Sequence, residues 1–92
     1  MINQKYIREL DGNICRNCGS RFFLHVHHII FRSRVKDDSP ENLITLCYKC
    51  HMLIHSYHFN IISILSRFKN RPDFRWGKAL DYWKGKENVK GK

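Results

Sequence analysis

Acidic side chains are scarce in this sequence. Its 92 residues contain eight Asp and Glu against 17 Lys and Arg, which gives a formal net charge of +9. Such an excess of positive charge is typical of proteins that bind nucleic acid or an anionic membrane. The sequence also lacks any apolar run near the roughly 18 residues that a transmembrane helix needs. These two absences favour a nucleic-acid partner and predict no membrane association.

The sequence also predicts no secretory leader. The start, from Met1 to Tyr6, has no charged segment followed by an apolar one, so a cytoplasmic, intracellular location is expected. Disulfides are rare in that reducing environment. Apolar residues make up 42% of the chain and aromatic residues 13%, too many for a disordered polycation. A chain this short is expected to form one small folded domain with a tail.

The four cysteines form two pairs with the same spacing. Each pair has two intervening residues, and the pairs are Cys15 with Cys18 and Cys47 with Cys50. A structural zinc ion takes four such ligands in a closed tetrahedron, so the pattern predicts one zinc held by all four thiolates. Two alternatives are reduced cysteines without a ligand role and a mixed site that leaves the first pair unused. That mixed site would consist of Cys47, Cys50, His51 and His55.

Six histidines lie between residues 25 and 58. His51 and His55 are four residues apart in a predicted helix, so both imidazoles face one side and can hold one ion together with His27 from a predicted strand. Three protein ligands leave coordination positions open, which is typical of a catalytic metal. His28 is then available as a general base, although neighbouring strand residues face opposite sides unless the strand ends there. His25 and His58 are interpreted as ordinary hydrogen-bonded residues.

Hydrophobic periodicity and turn residues predict a mixed order of helices and strands. A short helix is expected over residues 3–11, followed by strands over 22–30 and 43–47 with a polar loop over 33–40 between them. A helix is expected from 48 to about 70, with a possible break near Tyr57. Trp76, Leu80 and Trp83 form the apolar stripe of a last helix, which is expected to fray after Lys84.

Three parts of the chain together resemble the zinc-stapled branch of the HNH endonuclease family. They are the run from Leu24 to Ile30, the run from Glu41 to Cys47, and the residues Cys50, His51 and His55. The resemblance covers residues 15–55. It implies an α+β chain with a small ββα-metal fold, a pair of zinc knuckles that share four cysteine ligands, and flanking helices. It also implies hydrolysis of DNA phosphodiester bonds by one divalent ion, leaving 5′-phosphate and 3′-hydroxyl ends.

The resemblance also implies roles for individual residues. His28 would be the general base, and Asn42 would orient it, tie down the loop between the strands, or reach the metal. The catalytic ion would be magnesium or manganese, while zinc or nickel also suits imidazole ligands. Val35 and Lys36 stand where many relatives have a glycine pair. The ligands of the catalytic ion would be His27, His51 and His55.

The remaining positive charge suggests where DNA binds. Residues 1–70 are predicted to be the nuclease domain and residues 71–92 a basic helix and tail, because residues 67–92 carry a net charge of +6. The competing interpretation is that Trp76, Leu80 and Trp83 pack on the core. The predicted DNA contacts are Arg32, Arg34, Lys36, Arg71, Arg75 and Lys78.

Two other functions fit some of these features. One is a zinc-dependent DNA-binding module without catalysis, and the other is an interaction domain in which zinc only maintains the shape. Only the nuclease needs a pair of adjacent histidines beside an open three-ligand site. Compact nucleases of the resembling kind are found in phages and mobile elements. The sequence does not indicate the oligomeric state, the DNA target, or whether one or both strands are cut.

Overall fold

The computed structural model describes residues 3–56 and 60–90, with side chains up to residue 86. The elements follow the α+β order that was predicted, and two strands followed by a helix form the centre. They are α1 (Gln4–Leu10), β1 (Leu24–His28), a 3-10 turn (Pro40–Asn42), β2 (Leu43–Cys47), α2 (Tyr48–His55), α3 (Ile61–Ser66) and α4 (Gly77–Lys90).

β1 and β2 form a two-stranded antiparallel sheet that positions both groups of candidate metal ligands. The register pairs Leu24 with Cys47 at one end and His28 with Leu43 at the other. All five residues of β2 are buried, so this strand runs through the core. Because side chains alternate along a strand, His25 and His27 share the face of β1 that lies against α2.

The first helix starts and stops at the residues that the sequence indicates. The side chain of Asn3 accepts a hydrogen bond of 3.0 Å from the backbone N–H of Tyr6, which satisfies one of the free donors at the helix start. The chain then turns through Gly12 and Asn13, both with positive φ. Helix α1 packs against both strands of the sheet, and its Ile7 is buried.

Two predicted elements are shorter in the structure. The strand expected over 22–30 is confined to Leu24–His28. Phe23 has a φ of 54°, which takes the chain out of extended geometry before the strand. The long helix expected over 48–70 is two helices, α2 and α3, and the side chain of Asn60 caps the second by accepting from the N–H of Ile62. The predicted break near Tyr57 falls outside the described residues.

The C-terminal segment packs into the same core as the rest of the chain. Trp76 and Leu80 are buried, and the indole N–H of Trp76 donates to the carbonyl of Leu43 at 2.8 Å. The indole N–H of Trp83 donates to the carbonyl of Ile29 at 2.7 Å. The boundary predicted at residue 70 therefore does not correspond to a break in the packing. The fraying expected after Lys84 is also wrong, because α4 continues to Lys90.

Arg75 is a structural residue, which corrects its predicted role as a DNA contact. Its guanidinium forms two hydrogen bonds of 2.8 and 3.2 Å with the carboxylate of Asp11, which is 1% exposed. It also donates to the carbonyls of Pro40 and Leu43, both at 2.9 Å. The guanidinium is directed inward because it compensates a buried negative charge, and leaving such a charge unpaired is costly.

Among the described residues, no helix combines the length and the apolar composition that crossing a membrane requires.

Candidate functional site

The four cysteine thiols converge on one point, as the paired spacing predicts. Their sulfur atoms all lie within 4.8 Å of one another, and the sulfurs of Cys18 and Cys47 are 3.6 Å apart. Zn–S bonds of about 2.3 Å in a tetrahedron would separate the sulfurs by about 3.8 Å. The arrangement therefore suits a structural zinc ion. It also contradicts the mixed site, because Cys47 and Cys50 group with the first pair and not with His51 and His55.

Backbone geometry around each cysteine pair supports thiolate ligands. The N–H of Cys18 points at the sulfur of Cys15, and the N–H of Cys50 points at the sulfur of Cys47, both at 3.5 Å. Burial raises the pKa of Cys15, but the surrounding backbone N–H groups outweigh this and lower it to about 7. Burial raises the pKa of Cys50 to about 12. A cation among the four sulfurs would hold both as thiolates.

His27, His51 and His55 form a second cluster, with one ligand nitrogen of each within 4.8 Å of the others. The Nε2 atoms of His51 and His55 are 3.0 Å apart. Two nitrogens bound to one ion at about 2.1 Å would be about 3.0 to 3.4 Å apart, depending on the coordination angle. The three predicted ligands thus reach one another from a strand and a helix.

The buried ring of His27 shows that this cluster suits a cation. Its Nε2 is fully shielded from solvent and has no hydrogen-bond partner among the described residues. Burial, together with the nearby His51 and His55, lowers the pKa of His27 to about 3. Burial also lowers the pKa of His51. These two rings are therefore neutral at physiological pH, which is the form that binds metals.

His25, interpreted from the sequence as an ordinary hydrogen-bonded residue, contacts this cluster directly. Its Nδ1 lies 3.2 Å from the Nδ1 of His51. A hydrogen bond at that atom fixes the ring of His51 and leaves its Nε2 directed at His55. The sequence contained a signal for this contact, because His25 and His27 are two residues apart on one strand and so share a face.

His28 is the last residue of β1 and directly follows His27 of the cluster. Its Nε2 lies 2.8 Å from a carboxylate oxygen of Asp38. An ionised carboxylate only accepts hydrogen bonds, so the proton of a neutral His28 is on Nε2 and Nδ1 remains an acceptor. The hydrogen bond from His28 lowers the pKa of Asp38. Sequence reasoning missed Asp38, because no spacing pattern links it to His28.

Asn42 ties down the loop between the strands, which is one of the three roles considered for it. Its side-chain oxygen accepts from the N–H of Ile30 at 2.7 Å. Its amide donates to the carbonyl of Ile30 at 3.1 Å and to that of Asp37 at 2.8 Å. By holding Asp37 it places the following residue, Asp38, beside His28.

The loop after β1 presents basic side chains to solvent. It turns without the glycine pair, because the N–H groups of Arg34 and Val35 both donate to the carbonyl of Phe31. The Nε of Arg32 is 3.6 Å from Asp38. Among the predicted DNA contacts apart from Arg75, every side chain is exposed, which leaves the prediction open for Arg32, Arg34, Lys36, Arg71 and Lys78.

Comparison with known proteins agrees with this geometry. Residues 15–56 match the family described as HNH endonuclease, a span of just under half of the chain. Searches of curated proteins and of solved structures give no match. The matched span begins at Cys15, ends just after His55, and contains every candidate ligand of both clusters. Residues 15–56 of this chain are therefore similar to the HNH endonuclease family.

Proposed function

We propose that this protein hydrolyses DNA phosphodiester bonds with the help of a divalent cation and leaves 5′-phosphate and 3′-hydroxyl ends. The observation that carries the proposal is the convergence of His27, His51 and His55 next to the His28–Asp38 pair. A protein that only binds DNA has no need for three converging imidazoles with a buried, unpartnered nitrogen or for an oriented base beside them. The expected setting is an intracellular, reducing one, where thiolates stay available for zinc.

The difficulty of the reaction explains the choice of residues. A phosphodiester repels an attacking hydroxide because it is negatively charged, and its alkoxide leaving group is poor. His27, His51 and His55 would hold a divalent cation, which would supply positive charge to offset the negative charge of the phosphodiester. Magnesium and manganese are the expected ions for activity, whereas zinc or nickel should bind these nitrogens tightly.

His28 provides the proton acceptor for the attacking water. Because Asp38 holds the proton on Nε2, Nδ1 carries the free lone pair and is the atom that can accept a proton from water. The carboxylate also stabilises the imidazolium that forms, since the two opposite charges are within hydrogen-bond distance. The exposed Arg32, Arg34 and Lys36 in the same loop supply positive charge for neighbouring phosphates.

A DNA-binding module without catalysis is the second candidate. The net charge of +9 and the cluster of four cysteines would serve it equally well. It differs from the nuclease in one respect, because binding alone requires neither the histidine cluster nor the His28–Asp38 pair. Catalysis is therefore the property to measure.

The test is cleavage of supercoiled plasmid by the purified zinc-loaded chain. With magnesium or manganese we expect nicked or linear DNA, and with excess chelator we expect none. His51→Ala should lose the activity, while Met52→Ala, an exposed neighbour on the same helix, should keep it. DNA binding without cleavage under every divalent ion tried, zinc and nickel included, would favour the binding module.

A further inference from the structure

Three aromatic side chains project into solvent at one end of the sheet. Phe22 is 72% exposed, Phe23 is 82% exposed and Tyr48 is 55% exposed. They are neighbours in space, because the N–H of Tyr48 donates to the carbonyl of Phe23 at 2.8 Å. We call these three residues the aromatic edge. Single exposed apolar residues are common, but adjacent exposed rings indicate an interaction surface.

The backbone holds this edge in an unfavourable conformation. Phe23 has a φ of 54°, a region that bulky residues rarely adopt. The segment is fixed through Ser20, because the N–H of Phe22 donates to the hydroxyl of Ser20 and the N–H of Cys15 donates to the carbonyl of Ser20. The first cysteine pair thus positions the rings before any partner binds.

The aromatic edge is continuous with the histidine cluster. The ring of Tyr48 contacts the ring of His25 edge-on, with 5.8 Å between centroids, and His25 is hydrogen-bonded to His51. Phe23 precedes His27 by four residues, which corresponds to about 13 Å along a strand. That is about the length of four stacked nucleotides. A nucleic-acid strand at the cluster can therefore extend to the rings.

Charge identifies the partner as a polyanion. Residues 12–36 contain five basic residues and residues 42–72 contain four, and neither segment contains Asp or Glu. Arg21 and Lys49, both exposed, adjoin the rings in the chain. Rings that stack on bases beside cations that hold phosphates are the combination found in proteins that bind single strands. Duplex DNA offers no free base faces for such stacking.

We propose that the aromatic edge stacks on unpaired bases of DNA a few nucleotides from the bond at the histidine cluster. The substrate class is accordingly DNA with a single-stranded segment, such as a flap, bulge or gap. This inference rests on the proposed nuclease function for the position of the cleaved bond. The stacking itself can be measured without cleavage.

The test compares binding of a labelled single-stranded oligonucleotide and a hairpin duplex, without added divalent cation. The double variant Phe22→Ala/Phe23→Ala should bind the single strand about 10–100-fold more weakly. Its affinity for the duplex should change less than about threefold, and the salt dependence should stay the same because no phosphate contact is lost. The matched control is Tyr6→Ala/Leu10→Ala, which removes exposed apolar side chains from α1 and should bind like the wild type.

A second variant separates binding from folding. Phe23→Gly removes the ring and places at this position a residue that adopts positive φ without strain, so its melting temperature should be unchanged or higher. Weaker single-strand binding by this stable protein supports the proposal. Unchanged binding, equal losses for both DNA forms, or a new oligomeric state would overturn it. Selective binding by a chain that cleaves no DNA would contradict the nuclease and leave the stacking in place.

Discussion

The cysteine cluster and the histidine cluster differ in the number of their candidate ligands and in their exposure to solvent. Three of the four cysteines are buried, and the four sulfurs together lie close enough to fill a tetrahedral zinc site. Among the residues that the structure describes, the histidine cluster supplies three ligands, and His55 is exposed to solvent. A closed set of ligands holds the chain in shape, whereas an open one leaves room for water and substrate.

Helix α2 connects the two clusters. Cys47 caps its start and Cys50 lies in its first turn, while His51 and His55 follow within the same eight-residue helix. The cysteine cluster therefore fixes the helix that carries two of the three imidazoles. We expect the reverse dependence to be weak, because the His55 side chain is exposed and its loss should leave the cysteine cluster and the core intact.

The largest effect on stability is expected from a substitution in the cysteine cluster. Cys15→Ser should lose zinc and unfold, because a structural zinc is worth about 10–16 kcal/mol in apparent terms, as much as the whole stability of a small domain. Elemental analysis of wild type prepared without added metal should give one zinc per chain. Circular dichroism should show a folded wild type and an unfolded variant. A wild type that is folded without zinc would refute this role.

Substitutions at the histidine cluster and at the neighbouring His28 should affect catalysis and metal binding but not the fold. His28→Ala should lower the cleavage rate by about 10²–10⁴-fold with little change in metal affinity, because a general base does not bind the ion. His51→Ala should weaken the affinity for manganese at this cluster, measured by calorimetric titration. Both variants should keep one zinc and the wild-type fold. If the His28 variant loses the affinity for manganese, the roles of the two strand histidines are exchanged.

Local spacing predicted which cysteines and which histidines group together, while their roles as metal ligands stay predictions. The repeated interval between cysteines and the four-residue interval between His51 and His55 are consequences of a knuckle and of a helix turn, so they can be identified without tertiary structure. The strand and helix order around them followed for the same reason. The ends of the elements were less predictable, as at Phe23, where a positive φ interrupts an otherwise strand-like run.

Features that depend on distant partners were not predictable. Arg75 and Lys78 look alike in the sequence, yet only Arg75 meets a buried carboxylate, which belongs to a residue 64 positions away. Asp38 likewise has no pattern that connects it to His28, because the contact depends on how Asn42 folds the intervening loop. Such pairings are properties of packing and not of periodicity.

A smaller loss of stability is expected from replacing Arg75, which supports the strands that carry both clusters. The carboxylate of Asp11 also accepts a hydrogen bond from the N–H of Thr45 in β2, the strand that leads into the cysteine cluster and pairs with the strand of His27. Arg75→Ala leaves this buried carboxylate without its guanidinium and should lower the free energy of unfolding by about 3–5 kcal/mol. Urea denaturation measures the loss.

The matched control for Arg75→Ala is Lys78→Ala, three residues away and exposed. It should leave stability unchanged within about 0.5 kcal/mol and weaken DNA binding slightly, with a salt slope shallower by about 0.9. If Arg75→Ala has wild-type stability, the inward contacts of Arg75 do not support the fold.

The smallest effect is a pH dependence that belongs to the histidine cluster alone. His27 has a folded pKa of about 3 against 6.5 in the unfolded chain. Between these values the unfolded chain binds a proton that the folded chain does not, so this residue makes stability fall as the pH falls below about 6.5. Lowering the pH from about 7.5 to about 5.5 should therefore reduce the contribution of His27 to the free energy of unfolding by about 1.4 kcal/mol.

Urea denaturation of the zinc-loaded protein without other divalent ions measures this effect. As the pH falls, the free energy of unfolding should decrease more steeply for wild type than for His27→Leu. Protonation of cysteine ligands is common to both proteins and cancels in the difference. Equal slopes would mean that the His27 ring is protonated in the folded state and is not the neutral ligand inferred from its burial.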